Sequence, residues 1–485
     1  MVEFNENYKS ASYHRTRKLI SSLRQKIVRQ SDAEKTLGLA AVYSSLLHSI
    51  DIGVYDDPEL ERYLIDNILA QELFSPGYFS TSPTKDTLHV ISEGYAFGGH
   101  TRLMMMLASM HSAKPDLLVT HSIDSQLQNR LSSLFDQIFT VDDSQYIKKL
   151  EKIIPVLGNY QKVVLHIHPN DIATVICCGL VKKYRSLDVY FVNHADHAFS
   201  LGSAIADYYF VLSNYGQHIN RHKNIAGKYS FLGIPIEVPA VSTKLPIDIG
   251  RASRLSFFSA GSGFKFSPFR GEDIRPLVKK ILTHWPNSTL TIVGVNPLFN
   301  YWWWLMKIRY RQRLRLLRFL PFEQYKSFAK SSDFYIDSHP FPGGTAFAEQ
   351  ILSGQRGVGL VSAIQGYSPA ERLKFQHVDQ VINGIENYNE DGIIADIHII
   401  NSYASVKQRY LDCLYRSTAC QIDTESYMPW SGDEKYIRFT GVVFTPIDIK
   451  TIRFLIAKER IKAINLFRAM SLMNKIYILY ALLFK

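Results

Sequence analysis

Three short stretches set glycines, imidazoles and carboxylates where a backbone turn could hold a ligand. The first is Gly98-Gly99-His100-Thr101-Arg102, which follows the apolar run Leu88–Ser92 and opens a helical pattern. Glycines let a backbone come close to a ligand, and a helix N-terminus offers free N–H groups and positive dipole. His100 and Arg102 add a titratable ring and a fixed cation. The string is not a GxGxxG fingerprint and no ribose-binding acid follows about 20 residues on, which disfavours a dinucleotide cofactor. The second stretch, Asn193-His194-Ala195-Asp196-His197, directly follows the run Val189–Asn193. A histidine held by a carboxylate can act as a general base. A zinc site would have to add His166 and His168, which belong to another strand end, with no Cys or Glu to complete a recognised spacing. The third runs from Asp337 through His339, Gly343, Gly344 and Thr345 to Glu349. Its helix start would offer the N–H groups of Gly344 and Thr345, with the Thr345 hydroxyl, to a phosphate. Glu349 lies one turn on, on the same face, where it could accept ribose hydroxyls. No Lys-Ser/Thr follows the glycines, so this is not a Walker P-loop. A fourth signal, Gly261-Ser262-Gly263-Phe264-Lys265, puts a lysine after a strand end, suited to a diphosphate. For each stretch the plain alternative is a capped strand–helix turn or a solvated loop.

Alternating elements must position these strings. Apolar positions at helical spacing predict helices from residue 8 to about 75, with Asp57-Pro58 as a helix start. From Leu88, β-rich runs alternate with helical patterns: Leu88–Ser92, Leu117–Thr120, Gln137–Val141, Val163–Ile167, Val189–Asn193, Tyr208–Leu212 and Tyr229–Leu232. Such alternation is the signature of a parallel, doubly wound sheet. A proline-bearing linker, Pro235–Gly250, leads into a second series from Leu255 to Val361. The expected architecture is α/β, with two Rossmann-like domains facing a cleft. The boundaries are 1–85 (helical), 86–240 (first Rossmann-like domain), 241–440 (second Rossmann-like domain) and 441–485 (helices that cross back or touch membrane).

With 485 residues, 46% hydrophobic and 20% charged, the chain is long enough for two to four ordered domains. This composition argues against a disordered chain, a collagen or a coiled coil. The 55 Lys+Arg against 44 Asp+Glu give +11, an excess that suits nucleic acid, an anionic membrane or a phosphorylated small molecule. Four cysteines without metal or disulfide spacing favour a reducing compartment. The polar N-terminus does not read as a secretory signal, and no apolar stretch approaches the ~20 residues of a bilayer span. A cytoplasmic protein, at most peripheral on a membrane's inner face, is expected.

The paired halves, the Gly98-Gly99 loop and the Gly343-Gly344-Thr345…Glu349 helix start together resemble the GT-B glycosyltransferases over residues 86–440. The segment from Asp337 to Gly354 is similar to the nucleotide-sugar segment of O-GlcNAc transferase and related bacterial cytoplasmic protein glycosyltransferases. The Gly-Gly-His-Thr-Arg and Asn-His-Ala-Asp-His strings look like those of bacterial enzymes that build surface polysaccharides. The resemblance implies that Gly343, Gly344 and Thr345 hold a diphosphate, with Lys265, and that Glu349 binds the ribose. Tetratricopeptide repeats are absent, so substrate choice by a repeat superhelix is not implied.

The expectation is therefore transfer of a sugar from a nucleotide-sugar, a UDP-sugar by preference, to a hydroxyl on a glycan, a lipid-linked or a protein acceptor. His197, His194 and His100 are the candidate bases, in that order, with Asp196 beside them. Gly98, Gly99 and Arg102 are candidate anion or acceptor contacts. No metal and no cofactor are expected, because no Asp-x-Asp motif stands at a strand end. A UDP-sugar 2-epimerase of the same fold is the alternative enzyme. A non-enzymatic alternative rests on Tyr301–Arg318, where aromatics mix with six cations. That stretch could be a helix packing its aromatics inward or a membrane-surface element. Its place inside an α/β half puts nucleic acid last.

Overall fold

The computed structural model describes residues 11–50, 52–79, 82–95, 99–237, 253–269, 271–362 and 364–429, with residues 247, 249 and 250 and parts of 447–482. Its frame is two parallel sheets. The first comprises β1 (Lys85–Gly94), β2 (Asp116–Ile123), β3 (Ile138–Thr140), β4 (Tyr160–His166), β5 (Asp188–Val192), β6 (Tyr208–Val211) and β7 (Lys228–Phe231). The second comprises β8 (Ser256–Ala260), β9 (Thr289–Val293), β10 (Leu314–Leu317), β11 (Phe334–Ile336), β12 (Arg356–Leu360) and β13 (Lys374–Phe375). Six successive residues of β1 are buried, because helices cover both faces of a parallel sheet and leave no solvated side.

The spatial orders are β3-β2-β1-β4-β5-β6-β7 and β10-β9-β8-β11-β12-β13. Both reverse direction beside the first strand of their series, between β1 and β4 and between β8 and β11. At such a reversal the loops on either side diverge, and the crevice beyond the strands' carboxyl ends becomes a ligand site. The four sequence strings follow β1, β5, β8 and β11.

Two strands, β10 and β13, lie outside the expected runs. The Tyr301–Arg318 stretch is not a single helical insert. A short helix, Trp304–Tyr310, is followed by β10, an edge strand whose residues alternate buried and exposed from Leu314 to Leu316. The Arg313 guanidinium donates to the carbonyls of Ser288, Leu282 and Trp285, pinning the strand's entrance. Trp303 is fully buried, whereas Tyr301 and Trp304 are exposed.

The helices Ala11–Arg29, Ala33–Ser49 and Pro58–Ala70 share one apolar core with the first sheet and the Ile172–Tyr184 helix. Asp57 caps the third of these at the expected place, accepting from Leu60 N–H at 3.1 Å, with Pro58 in the first turn. The described residues of the C-terminal segment pack there too, through Ile452, Leu455, Leu466 and Ile478. Between the sheets the chain crosses twice. The outward crossing at Ile234–Ile236 lies beside the return at Asn401–Ser402: Ile236 N–H donates to Asn401 O at 2.7 Å, and Asn401 Nδ2 donates to Ile234 O and Tyr367 O at 3.0 Å. The helix Tyr403–Arg416 then packs on the first sheet through Val406, Tyr410, Cys413 and Leu414.

Glu61 ties the N-terminal helices to the loop after β5. Its fully buried carboxylate accepts from Gly202 and Ala204 N–H at 2.9 Å each. Burial outweighs those two donors and pushes its pKa up to about 8. Unfolding between pH ~4.5 and ~8 therefore releases a proton, so this group's stabilisation is present at low pH and is lost as pH rises through that window. The stability difference between the parent and Glu61→Gln should shrink from pH 5 to pH 8 in urea melts. A difference that stays flat over that range would refute the assignment.

Candidate functional site

The strand-end loops meet around a cavity of about 200 Å³ between the sheets. From the first sheet come Gly99, His100, Arg102, His194 and Asp196; from the second come Thr345 and Tyr367. Leu212, Ile234 and Pro235 close its floor, beside the double crossing.

On the first-sheet side, β1 ends at Gly94 and the Gly99–Ala108 helix begins. Thr101 Oγ1 accepts from Tyr95 N–H at 3.0 Å, closing the turn. A side chain at Gly99 would meet no atom within 4 Å, so the helix start is open. Gly98 lies outside the described residues. His100 Nε2 donates to the carbonyl of His166 at 2.7 Å, and its ring packs edge-on against His194 at 4.3 Å. Burial pulls the pKa of His100 down to about 4 and that of His194 well below the usual range. Both rings are neutral at physiological pH, the state a base requires.

Asp196 is buried, and Ser213 Oγ donates to its Oδ2. Ser213 also caps the Asn214–Asn220 helix, accepting from Gly216 N–H at 2.8 Å. A Cβ at Gly216 would sit 2.8 Å from Asp196 Cβ, so glycine there permits the approach. Tyr367 OH, from the second-sheet side, reaches Asp196 Oδ1 at a long 3.4 Å. His197 Nδ1 stands 3.7 Å from Asp196 Oδ1, and His197 is not among the cavity-lining residues. The structure thus brings His194, His100 and Asp196 to the cavity and leaves His197 beside it.

On the second-sheet side, Gly344 has φ 60°, ψ −124° and precedes the Thr345–Leu352 helix, which no side chain caps. Only glycine adopts that backbone readily. The helix therefore offers backbone donors and the positive end of its dipole at the cavity edge. Gly343 has a different job. Its N–H donates to Asp337 Oδ1 at 3.0 Å, and a Cβ there would lie 2.6 Å from that oxygen. It shapes the loop, and its amide is already engaged. Lys265 Nζ donates to Pro342 O at 2.8 Å from beneath the same loop. Burial lowers its pKa, with Asp337 opposing. Glu349 reaches across the cleft to Arg102 at 2.8 Å. Both partners are partly exposed, so the pair is worth ~0–1 kcal/mol and opens easily for a ligand.

Sequence reasoning missed the anchor of this loop. Lys374 Nζ, on β13, lies 2.7 Å from Asp337 Oδ2 and 3.7 Å from Glu371, with its side chain fully buried. Burial alone would lower the Lys374 pKa; the two carboxylates overcome it and hold it above the usual value. Tyr367 was missed as well. The signal for it was Gly366, whose positive φ turns the loop so that its carbonyl accepts from Asn214 N–H of the first-sheet side at 2.8 Å. His339 has both ring nitrogens engaged, by Ser362 at 3.3 Å and Glu272 at 3.1 Å, and is structural. Among the described residues, no three His, Cys, Asp or Glu side chains are placed to hold a metal ion.

Two parallel sheets that each reverse beside their first strand and face one cavity make up the GT-B fold. No protein-family model matches the sequence, and no curated protein matches it either. Solved structures do match the fold. HepE from Anabaena, in complex with UDP, is 14% identical with a TM-score of 0.51, over 68% of this chain and 100% of HepE. The lipopolysaccharide outer core galactosyltransferase WaaB is also 14% identical, with a TM-score of 0.50 over 68% of this chain and 100% of its own. A glycosyltransferase from Rickettsia africae is 10% identical at 0.50, over 68% and 98%. The likeness is one of architecture.

Removing one partner of a buried ion pair leaves an uncompensated charge and costs ~3–5 kcal/mol. Lys374→Met should therefore lower unfolding free energy by that order in urea. A loss under ~1 kcal/mol would show that Asp337 finds another partner.

Proposed function

We propose that this protein is a glycosyltransferase that moves a sugar from a UDP-sugar to a hydroxyl acceptor. The observation that carries the proposal is one cavity with an uncapped helix start at Thr345 on its second-sheet side and neutral imidazoles on its first-sheet side, with Lys265 held against the glycine loop that leads into that helix start. Departure of the nucleoside diphosphate builds negative charge. The Thr345–Leu352 helix start, with the N–H groups of Gly344 and Thr345, and Lys265 meet that charge without reorganising. Arriving phosphates also favour the charged form of Lys265, which burial disfavours. Glu349 exchanges Arg102 for the ribose hydroxyls, and the released guanidinium serves the anionic part of a substrate. His194 is the base for the acceptor hydroxyl, with His100 packed against it and Asp196 orienting the acceptor. The cavity is smaller than the ~300 Å³ of ordinary small-ligand sites. It suits the reacting sugar, with the nucleotide lying along the Thr345–Leu352 helix.

These cations and dipoles supply the charge stabilisation that a metal would otherwise provide, and metal independence is part of the proposal. Transfer should persist in excess EDTA; full loss restored by manganese would overturn that point. Glu349→Ala should weaken UDP binding at least tenfold by calorimetry, at unchanged melting temperature of the free protein. Unchanged affinity would reject the ribose assignment.

A second feature supports work at a membrane surface. Leu298, Phe299, Leu305, Ile308 and Phe319 are 70–81% exposed, and Arg309, Arg311, Arg315 and Arg318 are exposed among them. Apolar side chains beside cations complement an anionic bilayer interface, and no helix of the described residues is long and apolar enough to cross one. The acceptor suited to that position is lipid-linked. Flotation with anionic liposomes should carry the protein at low salt, and Leu305→Ser with Ile308→Ser should abolish it. Absence of flotation by the parent at low salt removes the membrane.

A further inference from the structure

Four histidines from separate parts of the chain stand in one hydrogen-bonded file. His194 Nε2 lies 3.0 Å from His166 Nδ1. His166 Nε2 lies 3.1 Å from His89 Nδ1, the two rings stacked within 8° of parallel. His89 Nε2 lies 3.1 Å from His111 Nε2, and Tyr410 OH spans the same step at 3.3 and 3.0 Å. His111 Nδ1 lies 3.1 Å from Tyr415 OH, which donates to Asp86 Oδ2 at 3.1 Å. One end lines the cavity; the other is solvent, where Tyr415 is 51% exposed and Asp86 pairs with Lys162. The middle rings, His89 and His166, are fully buried.

We propose that this file is a proton relay that carries the acceptor's proton from His194 through His166, His89 and His111 to Tyr415 and Asp86 at the surface. The proposal rests on the transferase reading above and extends it to residues that touch no substrate.

With Tyr415 donating to Asp86, the hydrogen bonds select one set of tautomers for the resting file. His194 Nε2 is engaged by His166, so Nδ1 is the nitrogen left to take a proton in the cavity. His194, His166 and His89 then carry their single proton on Nε2, each donating to the next ring, and His111 carries its proton on Nδ1, donating to Tyr415. Every step has one donor and one acceptor. Burial keeps all four rings neutral: the pKa of His111 falls to about 4 and those of the other three fall well below the usual range.

Transfer makes a bond between the acceptor oxygen and the anomeric carbon and breaks the bond from that carbon to the diphosphate oxygen. The bonding electron pair leaves with UDP, and the hydroxyl proton goes to His194 Nδ1. Each proton in the file then shifts one place outward. Tyr415 passes its proton to Asp86 and receives that of His111, and Asp86 yields its proton to water. No oxidant or further reactant is needed. Once products leave and water reaches the cavity, the reverse shift restores the starting tautomers. Without the file, a second charge would have to persist on a buried ring, where desolvation is costly. Apolar side chains would fill the same volume without burying eight ring nitrogens, and packing alone requires no continuity from cavity to surface.

The file can be tested with and without turnover. Histidine-ring ¹⁵N–¹H correlation spectra of the full-length protein at neutral pH should show Nε2–H at His89, His166 and His194 and Nδ1–H at His111. A charged ring or the opposite tautomer at His89 or His166 overturns the relay, whatever the substrate. In acceptor-dependent UDP release, His89→Phe and the surface variant Tyr415→Phe should keep parental UDP affinity and donor KM. Each should lose about tenfold in kcat, within the range of general acid–base catalysis. The Tyr415→Phe loss should be relieved by concentrated imidazole buffer, which a structural defect would not be. A kcat within twofold of parent in Tyr415→Phe overturns the relay even where His89→Phe fails to fold. No turnover of any nucleotide-sugar by the parent would reject the transferase reading, and the ring spectra would still decide the tautomers.

Discussion

The cleft depends on the double crossing between the sheets. Outbound residues Ile234–Ile236 and returning residues Asn401–Ser402 are held to each other by the Ile236 amide on Asn401 O and the Asn401 side chain on Ile234 O, and Arg409 locks them together. Its buried guanidinium donates to Leu232 O at 2.8 and 3.0 Å and also to Ile400 O. Burial lowers its pKa to about 10, and it still stays charged. A cation spent on carbonyls from both crossings fixes where the second sheet stands relative to the first. With that fixed, two sheets of the same winding aim their carboxyl ends at one space. Every pairing in the site, Arg102 with Glu349 and Tyr367 with Asp196, is downstream of this arrangement.

What could be read from the sequence followed from local physics. Buried parallel strands are continuous apolar runs, so nearly all of them were visible. The strings after β1, β5, β8 and β11 were visible because a strand end, a glycine and a helix start leave a local mark. β10 was hidden because its Leu314-Arg315-Leu316 alternation is short and sits among arginines, where charge masks a period of two. The Lys374–Asp337 pair was hidden because its partners are 37 positions apart and meet only through the order of β11, β12 and β13. The histidine file was hidden for the same reason. His89 and His166 face each other only because β1 and β4 pair with Ile91 opposite His166. His194 was ranked behind His197 because spacing along a loop cannot say which ring turns toward the cavity.

The net charge has a clearer meaning in this light. Several cations are consumed inside the fold: Arg409 and Arg313 on carbonyls, Lys374 on carboxylates, and Lys223 on the hydroxyls of Tyr209 and Ser200. These say nothing about a ligand. Two groups remain whose position is informative. Lys265 lies beneath the glycine loop, and the arginines around β10 lie on an exposed apolar surface. An overall excess of basic residues becomes evidence for an anionic partner only after the internal uses are subtracted.

The two walls of the cavity solve opposite electrostatic problems. In the proposed transfer a leaving diphosphate gains charge, and the Thr345–Leu352 helix start, with Lys265 behind its loop, would meet that charge at no cost in reorganisation. In the same proposal an acceptor hydroxyl loses its proton in the cavity that this positive end borders. A positively charged base would resist protonation there and would also repel the anomeric centre as it becomes cationic. The imidazoles on the opposite wall are neutral, and under the proposed relay the file behind them would lead any proton they accept away from that positive end. Placing the helix start on one sheet and the imidazoles on the other is what two separate domains make available. A single sheet with one crevice would have to place both sets at the same strand ends, where Lys265 would hold the histidines' proton affinity down still further.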